Sequence, residues 1–63
     1  MMTIQDTLIK LNKHMTDEQV ARHVGATQSV IWRVRTGVIK QTRYERGVAI
    51  KKLARTFGIH EQD

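Results

Sequence analysis

Apolar residues return along this chain at helical spacing, stretch after stretch. Ile4, Leu8, Leu11 and Met15 stand four, three and four positions apart, which lines one face of a helix. Thr3 can cap that helix, Asp6 sits near its positive end, and Asn12-Lys13-His14 is polar enough to end it. A second stripe, Val20, Ala21 and Val24, follows Thr16, and Gln19 three residues later completes a capping box. Gly25 supplies the left-handed residue that stops this helix, and Thr27 then caps a third in which Val30, Ile31 and Val34 face inward until Gly37. Val38-Ile39-Lys40-Gln41 reads as a loop. Beyond it, Thr42 and Glu45 have capping-box spacing, and Ile50, Leu53, Ala54 and Phe57 form a fourth stripe closed by Gly58. The pattern predicts a small all-α domain of about four helices over residues 1–63, with a tail at 60–63 that is expected to be flexible. Leu11, Val24, Ile31 and Leu53 are expected to meet in its core, one from each helix. A competing pattern exists: Tyr44 to Ile50, with Arg46-Gly47 in the middle, could form a β-hairpin after the third helix. The capping box and the stripe favour helix.

The stretch from Thr16 to Gly37 has what a helix-turn-helix requires: two short helices, a glycine turn, and a small residue, Ala21, that lets them cross closely. On these residues the chain resembles the Cro/Xre family of phage repressors. The family pattern is Thr-Gln-x-x-Leu-Ala-x-x-x-Gly-Val-Ser-Gln-x-x-Val, with a glycine closing the second helix. This sequence matches it at Thr16, Ala21, Gly25, Gln28 and Gly37, with Val20, Ala26, Thr27 and Ile31 as substitutes. Gln28-Ser29 is similar to the start of a lambda-type Cro recognition helix. Leu53-Ala54-x-x-Phe57-Gly58-Ile59 resembles the family's fourth helix, so the likeness spans residues 3–59. Some Cro proteins carry a hairpin where this chain has Tyr44 to Ile50. The chain stops where a fifth helix would begin in a full-length member.

Charge adds a direction to this picture. The chain carries a net +5, unevenly distributed. Residues 1–26 balance at zero, residues 27–57 hold eight basic side chains against Glu45 alone, and Glu61 and Asp63 follow. The excess begins at the third helix, as expected of a polyanion-binding surface. A recognition helix puts its N-terminal half in the major groove, where the base edges are distinguishable. With Thr27 as N-cap, Gln28 and Ser29 open the helix and Arg33 follows on the same outward side. Gln suits an adenine edge, Arg a guanine edge, and Ser either. Trp32 has three readings: against a thymine methyl or the DNA backbone, folded over the first helices as peripheral core, or in self-association. Gln28, Ser29, Trp32 and Arg33 are therefore the candidate base contacts. Thr16, Thr27, Arg35, Lys40 and Arg43 are the candidate backbone contacts, and the resemblance implies such contacts around Lys40 and Arg43. Arg46, Lys51 and Lys52 add positive field. Asp17 departs from the family, which has Gln there to hold a phosphate; a carboxylate would instead cap the second helix or orient Gln28.

Other chemistry finds no support in the residues. The absence of Cys removes disulfides and thiolate zinc sites, and His14, His23 and His60 lack ligand spacing, reading as surface or boundary histidines. No phosphate-binding glycine loop, nucleophile–base pair or apolar carboxylate pair is present, so no enzyme activity and no cofactor are expected. No apolar run or signal-peptide pattern indicates a membrane, so a cytoplasmic protein of a bacterial host is expected, nucleoid-associated when bound. The resulting reading is a sequence-specific repressor on a two-fold operator in double-stranded DNA. It would act as a weak homodimer, formed or strengthened on the DNA through the loop Val38–Gln41, with Val38 and Ile39 exposed, or through the region of Ile59. The alternatives are an architectural or excision DNA-binding factor, or a protein-interaction module such as an antitoxin or inhibitor.

Overall fold

The computed structural model describes residues 3–40 and 42–59. Gln41 of the loop, His60 and the tail 60–63 lie outside the described residues. The architecture is all-α: α1 spans Ile4–Leu11, α2 Asp17–Val24, α3 Gln28–Thr36 and α4 Tyr44–Arg55. None of these helices is long and apolar enough to cross a membrane.

Local signals explain the first three helices. The Asp6 amide donates to the Thr3 hydroxyl oxygen at 3.1 Å while the Thr3 amide donates back to the Asp6 carboxylate, a reciprocal box. Thr16 and Gln19 do the same at the start of α2, with distances of 3.2 and 2.9 Å. Thr27 caps α3 by accepting from the Val30 amide at 3.3 Å. Asn12 is the C-cap of α1. Gly25 and Gly37 end α2 and α3 with φ of 72° and 88°, conformations that cost an L side chain about 1 kcal/mol or more.

The core is built from one stripe per helix: Leu8 and Leu11, Val20 and Ala21, Ile31 and Val34, Ile50 and Ala54. Each is buried from solvent. Ile4, Met15, Val24, Ala26, Ile39, Leu53 and Ile59 pack around it, partly buried. Leu11 and Ile31 thus hold the central places predicted for them, but Val24 and Leu53 do not. Ala21 and Ala54 take the buried places in their helices, and Val24 and Leu53 fall at the edge of the core. Val30, expected to face inward, is likewise only half-buried. Thr7 is fully buried among the apolar residues because its hydroxyl donates to the Thr3 carbonyl at 3.0 Å, leaving no unsatisfied group.

Residues 44–50 are helical, so the hairpin alternative is set aside. The capping box expected at Thr42 and Glu45 does not form either. Arg43 is the N-cap and makes no side-chain capping bond. Starting one residue later leaves Thr42 out of register with the first turn, and its hydroxyl oxygen is buried without a partner among the described residues. At the other end, α4 finishes at Arg55, and the Ile59 amide returns to the Ala54 carbonyl at 3.0 Å. This reversal carries Phe57 off the stripe. Its ring is 40% exposed and stacks on His14, centroids 4.9 Å apart, at the rim of the domain.

Candidate nucleic-acid interface

Helix periodicity separates the two faces of α3. Ile31 and Val34 point into the core, while Gln28, Ser29, Trp32 and Arg33 line one shallow depression on the opposite side. All four are exposed, Trp32 at 48%. The four candidate base contacts are therefore brought together. Trp32 is not peripheral core: its indole stands out beside the polar side chains, with an apolar body and one N–H donor available to a ligand. Thr36, at the end of the same face, turns its hydroxyl back to the Trp32 carbonyl at 2.8 Å and is spent.

The orientation of this face is set by contacts that span the fold. The Gly25 turn fixes the crossing of α2 and α3. At the far end of α3, the Gln5 side-chain amide donates to the Arg35 carbonyl at 3.2 Å, capping it from α1. Gly37 passes so close that a Cβ there would lie 3.1 Å from the same Gln5 nitrogen.

The charged candidates divide. Lys40 and Arg43 are exposed, and with Lys51 they rim a groove whose floor is apolar: Ile4, Val34, Ile39 and Val48. This groove lies between the start of α1 and the loop into α4, apart from the depression on α3. Thr16 and Thr27 are exposed at the N-termini of α2 and α3, where their hydroxyl oxygens accept from their own helices. Among the described residues the ion pairs are Arg22–Glu18, on the surface, and Arg35–Asp17. Arg33, Lys40 and Arg43 are in neither, so their charge is available to a polyanion.

Arg35 differs from the other candidate backbone contacts. Its Nε donates to both Asp17 oxygens at 3.0 and 3.1 Å, and a terminal nitrogen donates to Asp17 Oδ2 at 2.9 Å. Asn12 adds a bond to Asp17 Oδ1 at 2.7 Å. The side chains of Asp17 and Arg35 are 9% and 26% exposed. The hydrogen bonds to Asp17 raise the guanidinium's proton affinity further above its ordinary value, against the opposing effect of burial. Asp17 thus does something other than orient Gln28: it binds Arg35 and Asn12. Sequence reasoning missed this pair because the partners are 18 positions apart. The one available signal was an acidic residue where a phosphate-binding amide was expected.

Ile39 and Ile59, offered as dimer contacts, turn inward against the core. Val38 of that loop is 65% exposed, and Tyr44 at the start of α4 is 84% exposed. Searches against family models, curated proteins and solved structures return no match for this chain.

Proposed function

We propose that this domain is a sequence-specific double-stranded DNA-binding repressor that inserts α3 into the major groove. The observation that carries the reading is the composition of the outward face of α3: Gln28, Ser29, Trp32 and Arg33 exposed together on a helix anchored by its opposite face. A helix packed on two others through Ile31 and Val34 presents its outer side chains at fixed relative positions, which base readout needs. Gln28 and Arg33 offer the two bidentate geometries best suited to adenine and guanine, Ser29 adds a short hydroxyl, and Trp32 offers apolar area to a thymine methyl. Thr16, Thr27, Lys40 and Arg43 serve the backbone, where charge positions the protein without reading sequence. Arg35, engaged by Asp17, is left out of that set. One such helix reads few base pairs, so two copies bind half-sites one helical turn apart, and the exposed Val38 is the apolar residue at hand for their contact. Repression then follows from occupancy alone, with no cofactor.

Selection of bound sequences from a random duplex pool tests this directly. A recurrent, two-fold symmetric site supports it. Enrichment of bendable DNA without a motif would instead fit an architectural or excision factor. No enrichment, with binding to an acidic protein partner, would identify an interaction module.

A further inference from the structure

On α3 the register places Arg35 two turns after Gln28 and only about 20° around the axis from it, roughly 10 Å along. By position Arg35 therefore flanks the Gln28 edge of the reading face, on the side of the helix away from Arg33. Its side chain nevertheless bends away from that face into the three-bond clasp of Asp17, which Asn12 steadies from the end of α1. A pair this enclosed recovers its desolvation cost only in part, so stability alone is a weak reason for it. What the clasp does uniquely is fix where the guanidinium points.

Resting on the DNA-binding reading above, we infer that Asp17 is a positioning residue that holds Arg35 off the phosphate backbone. A flexible cation beside the reading helix would add affinity for every sequence equally, because phosphate contacts carry no sequence information. Sequestering it lowers binding to operator and random duplex by the same factor, and leaves the choice between sites to Gln28 and Arg33. Asp17 thereby sets the strength and salt dependence of binding without touching DNA.

The test uses the full chain, its selected operator and a random duplex, with affinities followed across salt concentration. Asp17→Asn is expected to release Arg35, steepening the slope of log K against log salt by about 0.9, the value of one phosphate contact, and tightening operator and random duplex alike. Arg35→Met alone is expected to leave the slope at the parent value, and the double variant Asp17→Asn/Arg35→Met to restore it. A flatter slope in Arg35→Met would show that Arg35 already holds a phosphate and would overturn the inference. So would a double variant that keeps the steeper slope, since the acid itself would then be repelling DNA. Should Asp17→Asn not fold, the arginine Nε–H resonances of the parent decide. The Arg35 signal is expected to stay exchange-protected and unshifted on operator addition while that of Arg33 moves; a shift and loss of protection at Arg35 overturns the inference. A parent that binds no duplex is a different failure, that of the DNA-binding reading, and this inference falls with it.

Discussion

Gly47→Ala tests the helical assignment of the segment after the loop by the sign of a stability change. Gly47 is buried in the first half of α4, where the chain could also have turned as a hairpin. A Cβ added there would lie 3.6 Å from Thr42 Cγ2 and 3.7 Å from Ile4 Cδ1, ordinary van der Waals contact. Nothing has to move. In a helix interior, replacing Gly by Ala stabilises by about 1 kcal/mol, because the folded backbone costs less entropy. Burying the new methyl against Ile4 and Thr42 contributes up to about 0.8 kcal/mol more. The expected gain is about 1–2 kcal/mol, and each kcal/mol raises Tm by about 4–8 °C in a domain of this size. Thermal unfolding followed by far-ultraviolet circular dichroism measures it. In a hairpin, a glycine at the turn would take positive φ, and Ala would cost about 1 kcal/mol or more. A lowered Tm would therefore refute both the helix and the spacing between α4 and α1. A gain of only about 1 kcal/mol would remove the packing contribution alone.

Three further outcomes follow from the same geometry. Gln28→Ala is expected to weaken operator binding about tenfold with little change on random duplex, and Arg33→Lys to lose discrimination at a different base while keeping its charge; equal losses on both DNAs in a mobility-shift assay would remove α3 as the reader. Lys40→Ala and Arg43→Ala are each expected to flatten the salt dependence by about 0.9 and to weaken all sequences alike, and an unchanged slope would take the loop off the backbone. Ile31→Ala, at a site with no exposure, is expected to cost about 2–5 kcal/mol and to abolish cooperative unfolding in so small a domain, whereas Leu53→Ala, at the edge of the core, is expected to leave a measurable transition. Equal effects of the two would contradict the placement of the core.

The sequence by itself determined what depends on neighbours within about four positions. Thr3, Thr16 and Thr27 cap their helices, Gly25 and Gly37 end theirs, and four stripes face one core, because caps and helix faces are set by local spacing. The outward placement of Gln28, Ser29 and Arg33 was legible for the same reason: with Ile31 and Val34 inside, they had one face left. Tertiary structure decided whatever required knowing how closely helices approach. Ala21, Ile50 and Ala54 are buried in the core, while Val24 and Leu53 lie at its edge. The Thr42–Glu45 spacing satisfied the local rule for a capping box. The approach of α4 to α1 and the loop nevertheless set its first turn one residue later. Trp32 was ambiguous in sequence, since an indole suits a core or a ligand; it lies outside because the core had filled with aliphatic side chains. Asp17 and Arg35 meet only because α2 and α3 cross as they do. Only the crossing decides which charges cancel and which stay free to meet a polyanion.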